Sequence, residues 1–149
     1  MIDKFLKTAL AAAVMSFALH GEAISNKTYG SAVVTEVTSI YDGDTFRANL
    51  KGYPAIIGER IGIRINGIDT PEMHGQCQKE KTLARRAKEL TVTQLRGAKK
   101  IELRNMKRGK YFRIVADVYV DGRNLGRTLI DNALAVEYDG GHKGKDWCQ

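Results

Sequence analysis

The stretch SAVVTEVTSIYDGDTFRANL, residues 31–50, indicates a β-hairpin and sets the expected fold class. Ser31 to Ile40 is rich in Val and Thr and alternates between apolar and polar residues, which is typical of a strand. Thr45 to Leu50 resumes the strand pattern after the turn Tyr41-Asp42-Gly43-Asp44. The Asp-Gly pair in this turn favours a tight hairpin with a positive φ at the glycine.

More strands and one long helix follow the hairpin. The pattern predicts strands over Ile56–Ile65, Lys100–Asn105, Tyr111–Val120 and Leu134–Val136. It predicts helices over Lys79–Arg96 and Leu125–Asn132. The remaining segments are an irregular stretch over Gly67–Gln78, a basic turn over Met106–Lys110 and a surface tail over Asp139–Gln149. About five antiparallel strands, with the main helix between the third and fourth, predict a mainly β fold with helices (α+β). The natural candidate is a five-stranded Greek-key barrel of the OB type, whose members favour oligonucleotide binding.

The N-terminus has the layout of a secretory signal. Lys4 and Lys7 precede the apolar run Thr8–Leu19. Gly21-Glu22-Ala23 then offers small residues at the two positions that a signal peptidase recognises. The apolar run is shorter than the roughly 20 residues that span a bilayer. We therefore predict a signal over residues 1–23 and a folded domain over residues 24–149, exported to the periplasm or secreted. A buried N-terminal helix and an uncleaved anchor are the alternatives.

The charge of the chain points to a polyanionic partner. The 149 residues carry a formal charge of +7, and the pI is near 9.5. Removing residues 1–23 takes away two cations and two anions, so the charge belongs to the mature domain. Nucleic acid, acidic membranes and simple solubility all agree with such a charge. The basic residues form no long amphipathic helix, which argues against a membrane-active protein, and we expect a monomer without membrane attachment.

Cys77 and Cys148 are the two cysteines. An even count in an exported chain favours a disulfide, here between the loop before the main helix and the C-terminus. The alternatives are two free thiols or a zinc site formed by His74, Cys77, His142 and Cys148, although the spacing of the second pair is loose.

Three short motifs carry candidate chemistry. Asp42-Gly43-Asp44-Thr45 puts two carboxylates in a turn, where they suit a hard cation such as Ca²⁺, although Asp-Gly turns are common for backbone reasons alone. Arg64 alternates with two isoleucines, so it lies on the opposite face of the strand, where its planar fork suits a phosphate. Asp69-Thr70-Pro71-Glu72 follows, and Arg113 begins a later strand. A surface arginine or a first-turn glutamate is the ordinary alternative for each of these residues.

These motifs, in this order, resemble the staphylococcal nuclease family over roughly residues 33–137. The matching pieces are Val37 with Asp42-Gly43-Asp44-Thr45, then Arg64 with Asp69-Thr70-Pro71-Glu72, then Tyr111-x-Arg113. The resemblance implies a Ca²⁺-dependent phosphodiesterase on an OB barrel that cuts DNA and RNA, prefers single strands and leaves 3′-phosphates. A non-catalytic OB-fold module that binds single-stranded nucleic acid is the alternative.

The resemblance also implies a role for each site residue. Asp44, Asp69 and the Thr70 carbonyl would bind calcium, and Glu72 would be the general base. Arg64 and Arg113 would hold the scissile phosphate. Tyr111 would lie near the nucleotide, and Tyr138 is the nearest counterpart of a tyrosine that stacks on a base.

The chain departs from the family pattern in three places. Phe112 stands where a glycine usually precedes the second arginine, so we expect a bulky ring beside the phosphate clamp. The segment after Tyr138 is too short for the third helix of the staphylococcal type. The extra pair Cys77 and Cys148 could compensate, because closing a loop of about 70 residues contributes roughly 4 kcal/mol in the chain-entropy model.

Overall fold

The computed structural model describes residues 27–149, so the predicted signal lies outside the described residues. The elements in chain order are β1 Ala32–Ile40, β2 Thr45–Leu50, α1 Ala55–Gly58, β3 Ile61–Ile65, β4 Ile68–Asp69, α2 Gln78–Gly97, β5 Ile101–Arg108, β6 Arg113–Val120, β7 Arg123–Asn124, α3 Leu125–Asp131 and β8 Val136–Glu137. Within residues 27–149, no helix combines the length and the apolar character needed to cross a membrane.

Five strands form a closed barrel in the order β3-β2-β1-β5-β6, and a β3–β6 pairing joins the two ends. This confirms the predicted five-stranded barrel with a main helix, α2, before its fourth strand. The expectation of purely antiparallel strands is wrong, because β3 and β6 pair in parallel. The long connection through α2 returns the chain to β1, where β5 pairs antiparallel, so β6 must run in the same direction as β3.

The barrel core follows the alternation of the strands. Ile63 and Ile65 of β3 are buried inside the barrel, whereas Arg64 between them lies on the outer wall with a partly exposed side chain. The parallel register sets Arg64 opposite Val115 and Gly62 opposite Arg113. Period-two geometry then places both arginines on the same outer wall of the β3–β6 seam.

Helix α2 covers the barrel with the predicted face. Ala84 and Ala87 are buried, and Leu83 and Leu90 pack against the core. Cys77 caps its N-terminus: the Cys77 sulfur accepts a hydrogen bond from the Glu80 N–H at 3.3 Å.

The Asp-Gly turn differs from its prediction, because Gly43 does not take a positive φ. A Cβ at Gly43 would lie 2.8 Å from the Ala87 Cβ and 3.0 Å from the Thr70 Cγ2. Glycine is therefore required here for the close approach of helix α2. The buried Thr91 hydroxyl fixes this contact by donating a 2.7 Å hydrogen bond to the Gly43 carbonyl.

The predicted strand Ile56–Ile65 is wrong in its first half. Residues 55–58 form the short helix α1 instead, and the strand begins only at Ile61. The helix forms because the Pro54 carbonyl accepts the Gly58 N–H at 2.8 Å, which leaves Ile56 exposed. Its isoleucines mimic a strand pattern without being part of the core.

The strand predicted to end at Asn105 continues to Arg108. Asn105 adopts a φ of 52° where the β5–β6 register shifts, and its side-chain amide donates to Asp117 at 2.8 Å. Because of this bulge, β5 accommodates an extra residue and continues to pair with β6. Strand β6 begins at Arg113, so Tyr111 and Phe112 belong to the preceding turn rather than to the strand.

The C-terminal elements shift from their predicted bounds. The last strand is Val136–Glu137 rather than Leu134–Val136, and it pairs with Ile68–Asp69 inside the segment expected to be irregular. No helix follows β8 in the described range, as predicted. Cys77 and Cys148 form the predicted disulfide, with a Cα–Cα distance of 5.9 Å, so neither sulfur is free for zinc.

The hydrogen bond from Thr91 to Gly43 gives a stability prediction. Thr91→Val keeps the shape of the side chain but leaves a buried carbonyl without its donor, so the free energy of unfolding should fall by about 1–3 kcal/mol. Urea denaturation measures the change. Thr93→Val is the matched control, because Thr93 lies on the exposed side of the same helix. Equal stability of the two variants would contradict the role of Thr91.

Candidate active site

The carboxylate of Asp44 is buried at the junction of the hairpin and the barrel wall. One oxygen accepts a 2.9 Å hydrogen bond from the Thr45 hydroxyl and pairs with the Arg64 guanidinium. The other oxygen accepts hydrogen bonds from the Thr70 N–H at 3.3 Å and from the Thr70 hydroxyl at 3.1 Å. Asp44 therefore joins residues from β2, β3 and the loop after β4.

Arg64 bridges the two buried aspartates. Its two terminal nitrogens contact different groups: Nη1 pairs with Asp44, and Nη2 lies 3.5 Å from Asp69 Oδ1. Nη2 also donates to the Ile68 carbonyl at 3.3 Å. The Arg64 side chain is partly exposed, with a relative exposure of 19%. Guanidinium groups bind phosphate oxygens well, so this partly exposed side chain is a candidate phosphate contact.

Glu72 joins this group through the C-terminal tail. The Lys143 ammonium lies 2.8 Å from Asp69 Oδ1 and also pairs with a Glu72 oxygen. Glu72 itself is exposed. The tail runs over the surface, as predicted, but two of its residues do more: Lys143 contacts the carboxylates, and Trp147 is buried.

The tail reaches the site because both of its ends are fixed. On one side β8 pairs with β4, and the Tyr138 N–H donates to the Gly67 carbonyl at 2.9 Å. On the other side the disulfide joins Cys148 to Cys77, which lies shortly after Glu72 in the chain. Because the tail is held at both ends, Lys143 stays near the carboxylates at a high effective concentration.

The pKa values of two groups in this region are shifted. Burial, helped by the negative charge of Asp44, raises the pKa of Asp42 to about 6. Burial alone would lower the pKa of Lys143, but its contacts with Asp69 and Glu72 outweigh burial and raise that pKa above its ordinary value. The raised pKa of Lys143 shows that Asp69 and Glu72 stabilise a cation between them, whereas the raised pKa of Asp42 reflects mainly its burial.

Arg113 lies on the same wall as Arg64 but in a neighbouring groove. Its side chain packs over Gly62, where a Cβ would lie 2.9 Å from the Arg113 Cγ. The guanidinium donates to the Lys110 carbonyl at 3.2 Å and lies 5.4 Å from the centre of the Tyr111 ring. This groove has a volume of about 350 Å³, and Thr45, the partner of Asp44, also lines it.

Tyr111 and Phe112 project from the rim of this groove. Their side chains are 87% and 69% exposed, and both residues adopt a positive φ, 57° and 54°. The Phe112 ring therefore does not enter the strand packing, although it does stand beside Arg113, as its position in the sequence predicts.

Tyr138 lies on the other side of Asp69, under the tail. It lines a cavity of about 870 Å³ together with Asp69, His142 and Lys143, and its hydroxyl donates to the Gly141 carbonyl at 2.7 Å. The structure thus separates Tyr138 from Tyr111 and brings Asp44, Arg64, Asp69, Thr70 and Glu72 together.

The residues around Asp69 fit a hard cation. Asp69 Oδ1 is buried and, apart from its ion pairs, has no hydrogen bond of acceptable geometry. Buried carboxylate oxygens of this kind are what calcium and magnesium prefer. Asp44 and Asp69 would hold the ion, with the Thr70 carbonyl as a third candidate from the sequence.

Within residues 27–149, only one compact group of three side chains could bind a metal ion by residue type. It consists of Cys77, Glu80 and Cys148, whose ligand atoms lie within 4.8 Å of one another. Two of the three are bonded to each other, which argues against a metal ion at that cluster. Glu72, Asp44 and Asp69 do not form such a cluster in the described range.

Sequence reasoning missed Lys143 and the supporting contacts of Thr45 and Thr91. Thr45 and Thr91 act through local hydrogen bonds that no spacing reveals. Lys143 had one available signal: a disulfide from Cys148 to Cys77 requires the tail to fold back beside Glu72.

Comparison with known families agrees with this arrangement. A family model described as staphylococcal nuclease homologue matches residues 62–146, more than half of the 149 residues. The matched range contains Arg64, Asp69, Glu72 and Arg113, and it also contains Lys143. No curated protein matches the chain.

Lys143 gives a prediction on metal binding. Its ammonium and a divalent cation would occupy the same carboxylate oxygens, so the apparent dissociation constant depends on the fraction of chains in which Lys143 has left them. Lys143→Ala should therefore bind Ca²⁺ roughly tenfold more tightly, measured by isothermal titration calorimetry. Lys145→Ala removes the same charge from the same tail but contacts Trp147, so it is the control. Equal affinities of the two variants would exclude competition by Lys143.

Proposed function

The chain belongs to the staphylococcal nuclease homologue family, and we propose that it is a Ca²⁺-dependent nuclease that hydrolyses phosphodiester bonds of DNA and RNA. Family membership itself indicates a nuclease or nucleic-acid-related function. The finer proposal depends on one observation: Arg64 bridges the buried carboxylates of Asp44 and Asp69, and its side chain is partly exposed. An arginine beside two buried carboxylates suits hydrolysis, in which a cation site and a donor must together offset negative charge that grows on the phosphate.

The proposed reaction is attack of water on a phosphate held against this wall. Arg64 and Arg113, on the same wall of the β3–β6 seam, would donate to the phosphate oxygens and offset the charge that grows on them. Bound at Asp44 and Asp69, Ca²⁺ would supply Lewis-acid charge and orient the phosphate. Preorganised donors of this type typically contribute on the order of 10²–10³ in rate each.

Glu72 is the proposed general base. Its carboxylate is exposed and contacts Lys143 alone among the ion pairs of residues 27–149. When Lys143 moves away, one carboxylate oxygen can accept a proton from water. General-base catalysis by a positioned side chain typically contributes about 10²–10⁴ in rate.

The substrate and compartment are also part of the proposal. The exposed rings of Tyr111 and Phe112 beside Arg113 support a preference for unpaired bases, since stacking requires a free base face. We propose 3′-phosphate products, export by a signal over residues 1–23 to the periplasm or outside the cell, and a monomeric domain over residues 24–149. The disulfide supports export, because such bonds persist in oxidising compartments.

The metal requirement is tested by activity with and without calcium. The purified protein should degrade denatured DNA and RNA in Ca²⁺ and stop when a chelator is added, because the carboxylates then lack their cation. Gel electrophoresis measures cleavage, and end-labelling of the products identifies 3′-phosphates. Binding of single strands in millimolar calcium without cleavage would instead support the binding-module alternative.

The site assignment is tested by substitution. Glu72→Gln should lower kcat by about 10²–10⁴, and Arg113→Ala should lower it by about 10²–10³, with circular dichroism unchanged. Glu89→Gln is the control for Glu72, because Glu89 is an exposed glutamate on the far part of α2. A Glu72→Gln variant as active as the control would remove Glu72 from the mechanism.

A further inference from the structure

A second groove lies beside the site, between the Asp-Gly turn and helix α2. Its volume is about 480 Å³, and it is lined by Ile40, Tyr41, Met73, His74, Lys81, Arg85 and Lys88. Tyr41 immediately precedes the aspartate turn, and His74 follows Glu72 at a short distance in the chain. The groove therefore begins where the proposed active site ends.

Three cations form a row along the groove. Lys81, Arg85 and Lys88 are spaced by four and three residues, so they share one face of α2. The row from Lys81 to Lys88 is about 10 Å long at the helical rise of 1.5 Å per residue. One strand of B-form DNA advances by a similar length over about three nucleotides.

These cations have no acidic partners. None of the ion pairs found within residues 27–149 involves Lys81, Arg85 or Lys88. Some cations elsewhere are paired, such as Arg127 with Asp131 and both Lys100 and Arg104 with Glu102. Lys81, Arg85 and Lys88 differ from other unpaired cations because all three line one groove. A row of unpaired positive charge in a concave surface attracts a chain of negative charges.

Tyr41 connects the two grooves. Its side chain is 64% exposed, and together with Ile40 it lines both the groove of Lys81 and the groove of Arg113. An exposed ring at the junction can stack on a base, and stacking of this kind tolerates any sequence. Aromatic side chains between basic grooves are a usual arrangement for binding single strands.

We propose that the groove of Lys81, Arg85 and Lys88, with Tyr41, binds the part of a single-stranded nucleic acid that extends beyond the scissile phosphate. This inference rests on the proposed nuclease function and adds an extended binding surface to it. The concave shape and the exposed ring favour a strand over a flat anionic membrane, although the charge would attract either.

The test compares two triple variants of the full-length protein. Lys81→Ala, Arg85→Ala and Lys88→Ala together remove the row, and Lys51→Ala, Lys99→Ala and Arg123→Ala together remove three exposed cations elsewhere. Both are made in the Glu72→Gln background with Ca²⁺ present. Fluorescence anisotropy then measures binding of a labelled oligothymidylate of about 12 nucleotides, a length within the range that OB folds cover.

The groove variant should lose affinity by roughly tenfold or more near 0.15 M salt, and its salt slope should fall by about 2, since each lost phosphate contact on a single strand removes about 0.7. The control variant should change far less. The loss should shrink with an oligonucleotide of about three nucleotides, which is too short to fill both grooves. Without the Glu72 substitution, the groove variant should show a larger rise of KM on the long strand than on the short one.

Equal losses in the two triple variants would overturn the proposal, because they would reflect net charge alone. It would also be overturned if the groove variant kept its oligonucleotide affinity and lost binding to vesicles of anionic phospholipid. Failure of the unsubstituted protein to cut or bind any strand would instead contradict the proposed function, so the two failures are distinguishable.

Discussion

The burial of the Asp44 carboxylate constrains the whole site. An unpaired carboxylate in the protein interior costs several kcal/mol, so each of its oxygens must find donors. These donors come from distant parts of the chain: Thr45 from β2, Arg64 from β3 and Thr70 from the loop after β4. The chain cannot satisfy Asp44 unless the hairpin, the barrel wall and the loop meet in this one arrangement. The same contacts that stabilise the fold therefore place Arg64 and Asp69 for chemistry.

The parallel seam between β3 and β6 brings the second arginine to the same wall. Strand β3 ends beside the aspartates, and β6 begins with Arg113 opposite Gly62. Gly62 has to be small because the Arg113 side chain lies across it. Helix α2 then covers the turn from the other side, where Gly43 allows contact with Ala87 and Thr91 fixes the carbonyl. The contacts that close the barrel therefore also position the residues of the site.

The sequence predicts the parts of the fold that depend on local pattern. The hairpin, helix α2 and the disulfide are confirmed, because alternation, helical periodicity and cysteine count are local or compositional signals. The short helix at residues 55–58 and the bulge at Asn105 were missed, since each depends on backbone contacts rather than on side-chain pattern. For the site, the sequence motifs identify Asp44, Arg64, Asp69 and Glu72, whose proximity the structure shows. Lys143 could not be predicted from spacing, because it reaches Asp69 and Glu72 only through the tertiary path of the tail.

Phe112 shows how a departure from the family pattern can be understood physically. The residue before Arg113 has a φ of 54°, a conformation that costs a residue with a Cβ about 1–2 kcal/mol and that glycine adopts freely. The backbone conformation therefore explains why a glycine is favoured at this position, independently of any substrate. With Phe112 in this conformation, the Gly109 N–H donates to the Arg113 carbonyl at 2.8 Å and closes the turn. Burial of the Phe112 ring does not offset this strain, because the ring is largely exposed. What the phenylalanine adds is an apolar surface at the rim of the Arg113 groove, next to Tyr111, where an unpaired base would lie if the groove binds a single strand.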